Sequence, residues 1–253
     1  MGNGSFLTDN SMPTLFRYHT SDLVPLIDWA HFFHAWQVRE GTKEADELLA
    51  DANAFLARTA DEEAALGMFR QVEAHSQGDN IVVKDVIIPL LRQQTVSPDG
   101  NTLCLSDFIS PCGSTIGIFA TTSPVANPER TKDADPFDAL LRQTIAVRLA
   151  EAATEKLQSD TLPGLRPAVG YPCMPDLSII FILNQLCPLT QIGIQLTENG
   201  AMKPQASVCG LIIPHPQARY FAVGRIGDDQ FTDYAFRRGM EPSQLRRFFK
   251  SRH

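Results

Sequence analysis

Leu165-Arg166-Pro167-Ala168-Val169-Gly170-Tyr171-Pro172, followed by Pro175, is the stretch from which the fold is read. Each proline locks φ and removes a backbone donor, and it also restricts the residue before it. The segment is therefore expected to be a stiff, extended loop, not a helix or an inner strand. A stiff loop holds its one Arg and one Tyr in fixed positions. Arg offers a planar fork that matches a carboxylate, and Tyr offers a flat amphipathic face. Together they suit a small zwitterion with an aromatic group. Taken alone, the pattern also describes a rigid surface turn with an exposed Arg.

Outward from this loop the chain alternates helical and extended patterns. Toward the N-terminus, Asp135 to Leu157 reads as the longest helix, with Pro136 in its first turn. Ile116 to Thr122 reads as a strand. Gly67 to Glu73 and Ile81 to Val86 read as strands around a turn at Ser76-Gln77-Gly78-Asp79-Asn80. Lys43 to Ala60 has an apolar stripe of Ala45, Leu48, Leu49, Ala52, Phe55 and Leu56, as an amphipathic helix requires. Leu26 to about Val38 is helical in spacing, with Asp28 at the N-cap.

Toward the C-terminus, Leu177 to Leu186 is short and apolar, and its pattern fits a buried helix or strand. Ser207 to Ile213 and Tyr220 to Ile226 read as a hairpin across Pro214 to Arg219. Asp228 can cap a helix ending at Gly239, and Ser243 a last basic helix. Hairpins mixed with flanking helices make the class α+β. Residues 1–20 are polar and are expected to form a flexible tail. Residues 21–253 then form a single domain.

With 253 residues and 43% hydrophobic content, the chain can bury a sizeable core. No apolar run reaches the ~20 residues that span a bilayer. The N-terminus lacks a basic segment followed by an apolar one, so no secretory signal is expected. Five cysteines without a C-x-x-C pair point to reduced thiols and a cytoplasmic location. A net charge of −7 disfavours nucleic acid. That charge is uneven: Arg219 to His253 holds eight Lys/Arg against four Asp/Glu, a net of +4. This leaves −11 elsewhere and marks a candidate docking face for an acidic partner.

Several chemistries are missing. There is no G-x-G-x-x-G after a strand, no phosphate loop, no H-E-x-x-H and no Ser elbow motif. Asp28, His31 and His34 share a helical face, which is a possible metal set. Capping and packing explain those three residues as well, and no metal is expected.

Short blocks spread in order along the chain carry a resemblance. They are Ile27-Asp28-Trp29, Phe32-Phe33 and Trp36; Leu91-Arg92-Gln93-Gln94-Thr95; and Leu103-Cys104-Leu105-Ser106-Asp107-Phe108. Arg148-Leu149-Ala150-Glu151-Ala152 comes next, then the Arg166 loop, then Leu196-Thr197-Glu198, Ala201-Met202, Ser207-Val208 and Gly210. The last are His215-Pro216, Arg219-Tyr220-Phe221-Ala222-Val223, Asp229-Gln230, Asp233-Tyr234-Ala235 and Arg237-Arg238-Gly239-Met240. The chain resembles the activation, S-adenosylmethionine-binding domain of cobalamin-dependent methionine synthase.

The resemblance implies a bent, mainly antiparallel sheet with flanking helices. It implies S-adenosylmethionine binding by Asp28, Glu151, Arg166, Gly170, Tyr171, the backbone at Cys173, and Tyr220. None of these would be a catalytic residue; their task is to hold the methyl donor. It further implies a cobalamin-carrying partner, since the D-x-H-x-x-G pattern of corrinoid carriers is absent. That partner would be a methionine synthase lacking its own activation domain, with a flavodoxin-like electron donor. The chain would then be a stand-alone reactivation subunit serving reductive methylation of cob(II)alamin. The alternative is an interaction module that docks on a corrinoid protein without binding ligand.

The sequence departs from the family in two places. Only Gln158 to Leu165 separates the central helix from Arg166. After Tyr171 the chain reads Pro172-Cys173-Met174-Pro175-Asp176-Leu177-Ser178, with a more apolar Ile179-Ile180-Phe181-Ile182 behind it.

Overall fold

The computed structural model describes residues 12–96, 100–125 and 135–249. In chain order the strands are β1 (Thr14–His19), β2 (Glu63–Gln77), β3 (Asn80–Val83), β4 (Val86–Pro89), β5 (Ser114–Thr122), β6 (Gln195–Leu196), β7 (Met202–Lys203) and β8 (Ser207–Ile212). The helices are α1 (Thr20–Leu23), α2 (Trp29–Ala35), α3 (Lys43–Arg58), α4 (Pro136–Asp160), α5 (Ile179–Leu186), α6 (Asp228–Arg238) and α7 (Pro242–Leu245). The architecture is α+β: a curled antiparallel sheet with flanking helices. The main sheet runs β4-β3-β2-β5-β8, with β1 paired to the first half of β2. All of its ladders are antiparallel.

Strand β5 shows why the sheet is central. Its apolar run leaves no solvent face, as expected of a strand covered on both sides. Ile116, Ile118 and Ala120 join one core cluster with Ile88, Ile179, Leu183 and Leu211. Phe119, pointing the other way, joins a second cluster with Phe55, Leu149, Leu157 and Ile212. The second cluster is sealed by α2, α3 and α4. Each of these large side chains contributes about 1.5–3 kcal/mol on full burial.

Local chemistry sets the helix starts. Asp135 accepts from the backbone N–H groups of Phe137 and Asp138, and Pro136 opens α4. Thr42 caps α3 through Ala45 N–H. Asp28 caps α2 through His31 N–H at 3.0 Å. The apolar segment after Pro175 settles as a helix, α5, buried against the sheet.

Four expectations need correction. The tail expected over residues 1–20 ends sooner, because Thr14–His19 is β1, held by six cross-strand partners on β2. Residues 1–11 lie outside the described residues. Tyr220 to Ile226 is not a strand. The edge of β8 that it was expected to pair with is taken by the proline loop, through bridges Leu165↔Ile213 and Ala168↔Gly210. Asp228 is the first residue of α6, whose N-cap is Gly227. The last helix, α7, is capped at Glu241 with Pro242 in its first turn, not at Ser243. Of the basic C-terminal segment, residues 250–253 lie outside the described residues. No helix among the described residues is long and apolar enough to cross a membrane.

Candidate functional site

The proline loop is laid along β8 by hydrogen bonds that its prolines do not obstruct. Leu165 and Ile213 exchange two, at 3.0 and 2.8 Å. Pro167, which has no N–H, contributes its carbonyl to Leu211 N–H at 3.0 Å, and Val169 N–H donates to Cys209 O at 2.9 Å. The approach is so close that a Cβ on Gly210 would stand 2.2 Å from Pro167 O. Only glycine permits that crossing.

Beyond β8 the loop turns sharply. Gly170 takes φ +89° and donates to Met174 O, while Tyr171 N–H reaches back to Ala168 O. Positive φ at this point favours glycine. The turn projects Tyr171 beside Tyr220, with ring centroids 6.2 Å apart and planes tilted by 49°. Tyr220 in turn donates its phenol to the carbonyl of Arg166 at 2.9 Å. The segment carrying Tyr220 is also tied to the loop through Val223 N–H to Pro172 O.

Arg166 is mostly buried, 16% exposed, and its Nη2 pairs with Glu155 at 3.2 Å. Its Nη1 is buried without a hydrogen-bond partner. A guanidinium cannot shed its charge, so a spare buried donor marks a place for an acceptor. Glu151 sits one turn before Glu155 on α4 and is half exposed. Burial pushes the Tyr171 phenol above its ordinary value, and the Glu151 charge adds to the rise. Burial likewise raises Tyr220. Cys173 is buried, and burial pushes its thiol up to about 11.

Of the residues anticipated from sequence, Glu151, Arg166, Gly170, Tyr171, Cys173 and Tyr220 are brought together. The contacts of Asp28 lie elsewhere: its carboxylate caps α2 and bonds His31 Nδ1 at 2.7 Å. These bonds from His31 hold the Asp28 carboxyl below its ordinary value. Among the described residues, no group of three or more His, Cys, Asp or Glu is placed to hold a metal ion. Two members of the cluster were not anticipated as site residues, Glu155 and Arg148, although Arg148 stands in one of the blocks that carry the resemblance. The signal was there: 148, 151 and 155 fall on one face of a helix by i, i+3, i+7 spacing.

A cavity of about 850 Å³ adjoins this cluster at Gly170. Gly170, Pro172 and Pro175 form one wall; Val223, Phe231 and Phe249 supply apolar surface, and Arg225 and Arg246 its positive charge. Arg166 and Glu151 are not part of its lining. Gly170 therefore belongs both to the cluster and to the wall of this cavity. The cluster has the chemistry for a zwitterion: a fixed cation with a spare donor, two carboxylates, and two partly exposed phenol rings.

The description "Vitamin B12 dependent methionine synthase, activation domain" belongs to a family model that matches residues 19–162 and 160–239. Among solved structures, the chain is similar to one described as the crystal structure of the MetH reactivation domain bound to AdoHcy. The two are 28% identical, with a TM-score of 0.84, over 93% of this chain and 88% of that chain.

Proposed function

This chain belongs to the activation-domain family of vitamin B12 dependent methionine synthase, and from that premise we propose that it binds S-adenosylmethionine and presents its methyl group to a cobalamin carried by another protein module. The observation that carries the reading is the clustering of Arg166, Glu151, Tyr171 and Tyr220, pinned by the bridges of the loop to β8. The similar domain solved with AdoHcy supports the ligand class.

Each residue has a task its chemistry suits. Arg166 takes the ligand carboxylate through charge-assisted hydrogen bonds, using the Nη1 donor that has no partner in the free chain. Glu151 and Glu155 offset the ammonium and sulfonium charges. The phenol rings of Tyr171 and Tyr220 face the cation or line the adenosine. Gly170 leaves room for backbone contact with the ligand. Asp28 belongs to this proposal only if α2 delivers it to the ligand, since its hydrogen bonds to His31 are local. The ligand supplies an activated methyl group; the chain supplies position, and positioning is the main catalytic contribution of such a site.

In the reaction we propose, the methyl group and one electron from a flavodoxin-like donor go to cob(II)alamin on a partner methionine synthase, returning it to its active methylated state. S-adenosylhomocysteine is left in the site. The D-x-H-x-x-G pattern of corrinoid carriers does not occur in these 253 residues, in keeping with a cobalamin bound outside them.

Calorimetric titration with S-adenosylhomocysteine tests the reading. Wild-type chain is expected to bind, and saturating ligand to raise Tm according to RT ln(1 + [L]/Kd). Arg166→Ala is expected to lose about 1.5–3 kcal/mol of binding, the worth of hydrogen bonds to a charged group, with the fold intact. A wild-type chain with no ligand-dependent stabilisation would instead be a docking module.

A further inference from the structure

Arg148, one turn before Glu151 on α4, is a shielded cation with two buried donors that have no destination. Its side chain is only 11% exposed, and Nη2 lies 3.7 Å from Glu151 Oε1, too far for a hydrogen bond. Nε and Nη1 are buried with no partner. Arg92 serves Asp79, Asp107 and Thr102 O, and Arg238 serves Asp176 and Ser178; Arg70 and Arg166 each keep one unpartnered nitrogen but bond Leu186 O and Glu155 through another. A buried cation with unused donors destabilises the chain that carries it, and it is kept neutral by no titration. Structure alone gives it no task.

The order of groups along α4 supplies one. Glu155 pairs with Arg166; Glu151, one turn earlier, acts on Tyr171; Arg148, a further turn back, lies beyond both. From 155 to 148 the helix rises roughly 10 Å, at about 1.5 Å per residue. A ligand whose carboxylate sits at Arg166 and whose body runs along α4 carries its other end toward Arg148. We propose that Arg148 is a second ligand-holding residue, donating from Nε and Nη1 to acceptors at the nucleoside end of the ligand. Those acceptors are the ribose oxygens and purine ring nitrogens of an aminoacyl nucleoside sulfonium or thioether. This rests on the functional reading above and adds to it a residue that recognises the nucleoside. In the free chain both donors are shut off from solvent.

The sign of a stability change separates this role from a purely structural one. Met matches the Arg stem and removes the unsatisfied cation, and such replacements are often neutral or stabilising. Arg148→Met is therefore expected to melt at the same temperature as wild type or higher. It should bind S-adenosylhomocysteine about tenfold or more weakly, the loss expected for a charge-assisted hydrogen bond. 5′-Methylthioadenosine, which lacks the amino-acid end, locates the contact. Arg148→Met should weaken both ligands by a similar factor, whereas Arg166→Ala should weaken only S-adenosylhomocysteine.

Wild-type affinity for S-adenosylhomocysteine in Arg148→Met overturns the proposal and leaves the function standing. A lowered Tm accompanied by weaker binding also overturns it, by making Arg148 a structural residue. Wild-type chain that binds neither ligand overturns the function, and Arg148's part with it.

Discussion

Cys173 follows the turn that carries Tyr171, yet its sulfur is turned inward and buried. Burial pushes its thiol and that of Cys104 up to about 11, and Cys187 up to about 12; Cys209, fully enclosed, is raised further. A thiolate is the reactive form, so these four are inert near neutrality. Cys112 is the exposed one. Iodoacetamide at pH 8 is expected to modify Cys112 alone in the folded chain, by mass spectrometry; labelling of Cys173 at a comparable rate would contradict this. The same shifts set a pH dependence. Folded values lie above the unfolded value of 9.0, so the folded chain holds these protons more tightly. The stability they contribute is complete below pH 9 and is lost as pH rises through about 11 to 12. Melts at pH 8 and pH 10.5 check the direction. At this scale the sequence was read well where a residue acts locally. Asp28 was legible as a cap because capping needs only its own helix. Its place among ligand contacts came from resemblance, and its two hydrogen bonds to His31 give it a sufficient local role.

At the scale of elements, the strands of the central sheet were legible because burial on both faces leaves a continuous apolar run, as in β5. The long helix α4 was legible from Asp135, Pro136 and its periodicity. The pairing of β8 was not. Ser207 to Ile213 and Tyr220 to Ile226 are both extended and adjacent in sequence, the pattern of a hairpin. The competitor for that edge lies some forty residues upstream, and its prolines argue against a strand. Pro167 nonetheless docks, because the ladder asks it only to accept. Gly210 is what lets the loop in, and that gives a test. Gly210→Ala puts a methyl group 2.2 Å from Pro167 O and 2.7 Å from Ala168 Cα. Both are backbone atoms, so relief means lifting the loop from β8. A cost of about 1–3 kcal/mol, as for overpacking elsewhere, is expected in urea denaturation. Affinity for S-adenosylhomocysteine should fall with it, because Arg166 and Tyr171 ride on the lifted segment. A destabilised variant with unaltered affinity would detach the site from the loop.

Across the whole molecule, short sequence blocks far apart in the chain prove to be partners. Arg92 grips Asp107 with two hydrogen bonds of 2.7 and 2.6 Å and also bonds Asp79. The C-terminal elements α6 and α7, with their own small core around Val223, Phe231 and Tyr234, are locked to the rest through Asp176. Asp176 is 1% exposed. Its carboxylate accepts from Tyr234 Oη at 2.8 Å, from Ser178 N–H and Oγ at 2.8 Å each, and from Arg238 Nε at 3.3 Å. The Pro175-Asp176-Leu177-Ser178 run is therefore the socket for α6. No local pattern could reveal that role, since its partners on α6, Tyr234 and Arg238, sit about sixty residues away. Removing the carboxylate leaves the Arg238 side chain, 7% exposed, without its counter-charge. Breaking a buried pair in this way costs about 3–5 kcal/mol, and Asp176→Ala is expected to lose that much in urea denaturation. Arg238→Met in the same chain removes the stranded cation and should recover part of the loss. If the double variant is no more stable than Asp176→Ala, the two charges are not coupled, and α6 is held by the packing of Tyr234 and Phe231 and by the hydrogen bonds of Arg237 to Asn80 and Leu90 O.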